Sequence, residues 1–465
     1  MSKNTDYIKD FKDTSKKDIN MVGGKGANLG EMTQTGLPVP PGFTVTSSAF
    51  QTFLTEAGLQ DFIKEKLTNL DREDSKLLQK RAEEIKKKIV ASEMPKQIET
   101  EIGKAYKKLS KGDDAFVAVR SSATAEDLPG ASFAGQQETY LDVRGIDDVI
   151  QSIKMAWASL FEPRAIFYRE EKGFDHFQVS IAVPAQMMVQ SEISGVMFTV
   201  DPLTNDLGKI AIEAIYGLGD ALVSGQTTPD QYLVSKADWS IVSQHTVKQT
   251  TMLGYTASSK EEQVASVPVS KKYQNEQKLT EKQIIELAKI GKSVEDHYDF
   301  PQDIEWAYQG GKFYLVQTRP VTTVEMDESD GVHAVPTPPE TLQQVELDLD
   351  VLLNGIAASP GVSYGPVKVI HSANEINKVI EGDILVTEMT TPDFVPAMRR
   401  AVAIVTDEGG RTSHAAIVSR ELGIPAVVGT QEATKSLKNK EGITVDGFEG
   451  NIYQGDHNQV VTQYH

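Results

Sequence analysis

The chain of 465 residues contains no cysteine. That absence excludes disulfides, thiolate catalysis and cysteine-ligated zinc together. Positive charge is in short supply as well: 47 Lys and Arg stand against 66 Asp and Glu, a net charge of −19 with His neutral. Such a chain lacks the broad positive field that duplex nucleic acid or an anionic membrane would need. Any anion it handles must be met locally, by Lys, Arg and backbone N–H groups, with a divalent cation alongside. Long hydrophobic runs are missing too. No stretch approaches the roughly 18 consecutive apolar residues of a membrane span, and residues 1–11 alternate polar and charged with no signal core. Neither nucleic acid nor membrane is an expected partner, and a soluble cytoplasmic protein is the simplest expectation.

What is present suffices for folded cores. Apolar residues make up 39% and aromatics 7% of the chain, and at roughly 150 residues per domain its length suggests about three units, or two if one is large. The clearest boundary is compositional. Residues 321–350 carry eight acidic side chains, no Lys or Arg, and the three prolines Pro336, Pro338 and Pro339, which reads as an extended, self-repelling linker. Before it, residues 60–110 show the pattern of surface helices, short apolar runs at 116–119, 179–183, 196–200 and 210–215 read as strands, and a second helical stretch is expected over 262–297. After it, strand-like runs at 367–370, 384–387, 403–406 and 426–428 surround one helix at 414–422, closed by Gly423 and followed by Pro425. The fold class expected is mixed α/β and α+β, in several domains.

Four segments could carry chemistry. Residues 21–30, MVGGKGANLG, set Lys25 among four glycines. Such a loop can cradle an oxyanion, although a flexible turn before a helix fits it about as well. Residues 118–140, AVRSSATAEDLPGASFAGQQETY, deliver Arg120 from a strand into a loop of hydroxyls, where a guanidinium can grip phosphate or simply form an ordinary ion pair. Residues 302–320, QDIEWAYQGGKFYLVQTRP, form two alternating strands about a Gly-Gly turn. Asp303 and Glu305 share one face there, as do Gln317 and Arg319. The two pairs reach a common side only if the connection has an odd number of residues, such as Gln309-Gly310-Gly311 with a bulge. Converged, two carboxylates could hold Mg²⁺ on a polyphosphate while Arg319 neutralises the transferring group. The alternative is a solvated hairpin face.

The fourth segment is residues 404–429, IVTDEGGRTSHAAIVSRELGIPAVVG. A strand, two glycines and the caps Thr412 and Ser413 place His414 at the start of an apolar helix. Helix N–H groups and the dipole would stabilise a phosphoryl group on that imidazole, and the same dipole disfavours its protonation, leaving a neutral nucleophile.

In this order the four segments resemble the phosphoenolpyruvate synthase and pyruvate phosphate dikinase family, over residues 18–455. The resemblance implies an ATP-grasp nucleotide-binding region at residues 1–325, with two lobes meeting near 195. It further implies a linker at 326–350 and a swivelling phosphohistidine domain at 351–465. It implies that Lys25 and Arg120 bind ATP phosphates and that Gly135, Thr139 and Gln186 line the nucleotide site. Asp303, Glu305 and Gln317 would hold the metal–nucleotide complex, with Glu305 and Gln317 on Mg²⁺. Arg319 would stabilise the transferring group and His414 would be nucleophile and carrier. The activity implied is of the pyruvate, water dikinase type: attack on the β-phosphoryl of ATP, release of AMP, and delivery of a phosphoryl group to pyruvate. Only ten residues follow Gly455, so the family's pyruvate barrel is expected on a longer chain or on a separate one, unless the acceptor is a different small molecule. A non-catalytic nucleotide-binding partner subunit is the alternative, and a homodimer stays open.

Overall fold

Alternation of apolar and polar side chains, and the caps that end each run, account for most elements of the computed structural model. It describes residues 6–68, 70, 74–112, 114–123, 139–172, 175–177, 179–258, 261–321, 350–411, 413–458 and 462. The acidic linker expected at 326–350 therefore lies, but for Asp350, outside the described residues. Two compact units divide the chain: Met1–Val189 with Tyr314–Thr318, and Gln190–Phe313 with Arg319–His465.

In the first unit a sheet runs in the order Ile8–Asp10, Gly42–Val45, Ile181–Met187, Val117–Arg120, Thr139–Val143, all antiparallel. Phe43, Val45, Val117, Val119, Val183 and Ala185 share one core with Phe50, Phe53, Ile85, Ile102 and Trp157 from the flanking helices. Successive residues on a strand point to opposite faces, so Thr44, Ala118, Arg120 and Gln186 lie on the other side. Helix Ile19–Gln34 covers that side, where a Cβ on Gly26 would lie 3.1 Å from Thr44 Oγ1. The helix is kinked at Gly23, with φ 69° and ψ 171°. A Cβ there would sit 2.4 Å from the carbonyl oxygen of Ser122, so the position requires glycine on two counts. The glycine-rich segment is thus neither an open turn nor a free loop but a broken helix start.

Among the described residues the second unit contains a six-stranded sheet, a two-stranded hairpin and an eight-stranded sheet. The first runs Ile241–His245, Asp230–Ser235, Lys209–Tyr216, Ile193–Phe198, Gln302–Gln309, Lys312–Pro320. Helix Glu281–Tyr298 begins at a reciprocal capping box of Thr280 and Gln283. Residues 262–280 are not helical as expected: Thr251–Ser258 and Glu261–Pro268 pair as an antiparallel hairpin, since β-branched Val264 and Val267 favour a strand and the helix cap comes only at Thr280. A buried network pins this region. Asp230 accepts from Val247 N at 2.8 Å, Lys278 N at 2.9 Å, Lys278 Nζ at 2.6 Å and Tyr232 Oη at 2.8 Å.

The other sheet has eight strands, in the order Val351–Asn354, Asn451–Gln454, Gly442–Asp446, Val362–Val369, Ile384–Thr387, Ala403–Thr406, Ala426–Val428, Ile356–Ser359. Its middle strands are parallel. Helix His414–Leu422 connects two of them and ends on Gly423 at φ 67°, as the sequence implies. Among the described residues no helix is long and apolar enough to cross a membrane.

Candidate functional site

In the first unit the groups singled out in the sequence gather on the sheet face away from the main core. Arg120 is buried, and its Nη1 donates to Gln186 Oε1 at 2.7 Å. Gln186 Nε2 in turn lies 3.5 Å from Pro40 O, and Thr139 stands opposite Arg120 on the neighbouring strand. Lys25 N donates to Ser122 Oγ at 3.1 Å and Lys25 Nζ to Ser121 O at 3.3 Å. Half-buried Gln317 lies on the strand Lys312–Pro320. Gly135 lies outside the described residues.

In the second unit the strand ladder aligns acids that are far apart in sequence. Glu305 pairs with Val196, which pairs with Glu213, which pairs with Gln231. Directly opposed residues share a face, so Glu305, Glu213 and, two positions along, Asp303 look out from one side. The hairpin itself departs from expectation. Its connection is the two-residue turn Gly310-Gly311, with φ 58° and 82°, an even loop that by alternation sends the two pairs to opposite faces. Arg319 Nε nevertheless donates to Asp303 Oδ2 at 2.8 Å, because a guanidinium on three methylenes at a strand end is not bound by strict alternation. Burial pushes the Asp303 carboxyl above its usual range. Arg319 opposes that shift, and the neighbouring charges of Glu305 and Glu213 add to it.

The turn before His414 is seated on this same face. Arg411 N donates to Glu213 Oε1 at 2.6 Å, and Gln231 Nε2 donates to the same oxygen at 3.0 Å. Arg411 Nη1 lies 3.6 Å from Asp201 Oδ1, and Thr228 Oγ1 donates to Glu408 Oε2 at 3.3 Å. Only glycine fits at 410, where a Cβ would be 2.8 Å from both Glu213 Oε1 and Pro229 Cγ. Arg420 clamps the turn from behind, donating to Ala358 O and Arg411 O at 2.7 Å each, and burial lowers its pKa to about 10. The Nε atoms of Arg411 and Arg420 are buried without an acceptor among the described residues.

His414 opens its helix. Ser413 caps it by accepting from Ala416 N at 3.4 Å, while Thr412 lies outside the described residues. His414 Nδ1 is 2.8 Å from Thr390 Oγ1, and burial holds its pKa below the ordinary His value. A neutral imidazole with one occupied ring nitrogen, at a helix N-terminus, is a nucleophile suited to phosphoryl groups. Sequence reasoning missed Glu213, Asp201 and Thr390. The signal for Glu213 was a lone carboxylate inside the apolar run 210–215.

Comparisons with known proteins place the chain in a family. The family model described as pyruvate phosphate dikinase, AMP/ATP-binding domain, matches residues 19–336, and that of the PEP-utilising enzyme, mobile domain, matches residues 379–450. Phosphoenolpyruvate synthase of Pyrococcus furiosus is 49% identical over 97% of this chain and 59% of its own. Probable phosphoenolpyruvate synthases of Methanothermobacter thermautotrophicus and Archaeoglobus fulgidus are 47% and 51% identical, over 97% and 95% of this chain and 64% and 57% of theirs. The chain thus spans about three fifths of the length of the curated relatives it matches.

Proposed function

The chain belongs to the pyruvate phosphate dikinase AMP/ATP-binding family, and on that premise we propose that it transfers a phosphoryl group from ATP to His414, the first half of a phosphoenolpyruvate synthase reaction. In this reading residues 1–325 are an ATP-grasp region, 326–350 a linker and 351–465 a swivelling carrier. Lys25 and Arg120 bind the nucleotide's phosphates, with Gly135, Thr139 and Gln186 lining its site. Asp303 orients Arg319, whose guanidinium neutralises the group in transit. The Nε2 lone pair of His414 attacks the β-phosphorus, AMP leaves, and water removes the terminal phosphate of the resulting pyrophosphoryl group as inorganic phosphate.

The observation that carries the proposal is the seating of the Gly409-Gly410-Arg411 turn on the face that bears Glu213, Glu305 and Asp303. It holds the His414 helix in the same unit as the acids and Arg319. The donor set is also suited to Mg²⁺. Among the described residues no cluster of three or more His, Asp or Glu forms a closed cage, and Mg²⁺ on nucleotides is held by one or two carboxylates plus phosphate oxygens. Asp303 is engaged by Arg319, so of the acids on that face we assign Glu305 to the ion, and Gln317 is assigned to it by the family resemblance alone. When bound, the ion offsets the negative charge of the polyphosphate.

Kinship points to pyruvate as the final acceptor, and another small molecule is the alternative. Incubation with MgATP, with AMP, ADP and inorganic phosphate quantified together, tests the first half-reaction. AMP is the expected product, and formation of ADP alone refutes the proposal. Pyruvate added in parallel tests the acceptor.

A further inference from the structure

The loop that follows strand Ile384–Thr387 leaves the same edge of the parallel strands as the loop that leads to His414, because Ile384–Thr387 and Ala403–Thr406 pair in parallel register. The two loops are tied together by backbone bonds. Asp407 N donates to Thr387 O at 3.1 Å and Glu408 N to Glu388 O at 2.9 Å. Thr387 Oγ1 donates to Met389 O at 3.3 Å, which fixes the turn just before Thr390. Thr390 is 5% exposed, and its hydroxyl oxygen lies 2.8 Å from His414 Nδ1. A neutral imidazole has one N–H and one lone pair, and the partner of one ring nitrogen decides the state of the other.

We propose that Thr390 is the positioning residue that assigns the ring nitrogens of His414, its Oγ1 accepting the Nδ1–H so that Nε2 carries the attacking lone pair. The inference rests on the reading of His414 as phosphoryl carrier. In the step it serves, the Nε2 lone pair forms the bond to the β-phosphorus. The bond from that phosphorus to the α,β-bridging oxygen breaks and its electron pair leaves with AMP, so that Nε2 carries a pyrophosphoryl group whose terminal phosphate water then removes as inorganic phosphate. Positive charge develops on the ring, so the Nδ1–H···Oγ1 bond becomes charge-assisted as the reaction proceeds. The Nδ1 proton is released to water afterwards.

The test uses the full chain with ¹⁵N-labelled histidine. Long-range ¹H–¹⁵N spectra at pH 8 without nucleotide are expected to show His414 as the Nδ1–H tautomer, and a predominant Nε2–H form in the wild-type protein overturns the proposal. Thr390→Val keeps the shape and removes the oxygen. It should move the tautomer towards Nε2–H and slow single-turnover labelling by MgATP about ten- to hundredfold, the usual weight of one hydrogen bond to a charged group. Thr390→Ser should restore both to near wild type. A wild-type tautomer and rate in Thr390→Val, or no rescue by Ser, also overturns it. Wild-type protein that takes no label refutes the carrier reading instead, and the tautomer measurement, which needs no ATP, still judges Thr390.

Discussion

Gly410 offers the sharpest perturbation of how the His414 turn is seated. In Gly410→Ala the new Cβ would lie 2.8 Å from Glu213 Oε1 and 2.8 and 2.9 Å from Pro229 Cγ and Cδ. Neither neighbour yields easily. Glu213 is 3% exposed and already accepts from Gln231 and Arg411, and a proline ring has no rotamer to escape into. Overpacking of a tight contact costs about 1–3 kcal/mol, which at about 1.4 kcal/mol per decade is a roughly 5- to 150-fold loss of the seated form relative to the unseated one. Glu213→Ala acts from the other side, since it leaves the Arg411 N–H without its carboxylate at a cost of roughly 1.5–3 kcal/mol. Rapid-quench labelling of His414 in a single turnover is the assay, with ATP affinity measured in parallel by calorimetry. Both variants should label slowly and bind ATP as the wild type does. Wild-type labelling rates in both would refute the claim that this seating serves phosphoryl transfer.

Three further outcomes follow from the same geometry. Arg120→Lys keeps the charge but loses the planar fork that reaches Gln186, so ATP affinity should fall about tenfold with unfolding unchanged, as calorimetry and a urea titration would show. Asp230→Ala strands the buried Lys278 ammonium and two backbone donors, and should cost about 3–5 kcal/mol, read as a lower unfolding midpoint of the second unit. The depressed pKa of His414 has a defined sign. Its folded value lies below its unfolded one, so protons favour the unfolded chain. The stability tied to the neutral ring is complete above the unfolded value of about 6.5 and is lost as pH falls below that value and through the lower folded one. Labelling should likewise stay flat from pH 8 down to that value, and urea midpoints at two pH values should converge partly in His414→Gln.

Much of the portion after residue 350 was legible in the sequence because its signals are local. Ile384–Thr387, Ala403–Thr406 and Ala426–Val428 are short β-branched runs, and Gly423 supplies the left-handed residue that ends the His414 helix. Residues 262–280 misled because they run into the helical pattern that begins after Thr280, while β-branched Val264 and Val267 and the cap at Thr280 carry the true boundary. Of the candidate site, His414, Arg319, Asp303 and Glu305 could be named from motifs alone. Glu213 and Thr390 could not, since one is placed by strand register across Val196 and the other by a parallel pairing between distant strands. Parity alone also misjudged the hairpin, where the reach of Arg319 prevails over the even Gly310-Gly311 turn.

The central claim is that His414 accepts a phosphoryl group from ATP, and peptide mass spectrometry after exposure to MgATP tests it most directly. The account predicts an acid-labile, base-stable phosphoryl adduct on the peptide containing His414, formed together with AMP and absent in His414→Ala. An adduct that persists in His414→Ala, or a wild-type protein that consumes ATP without any adduct, would contradict it.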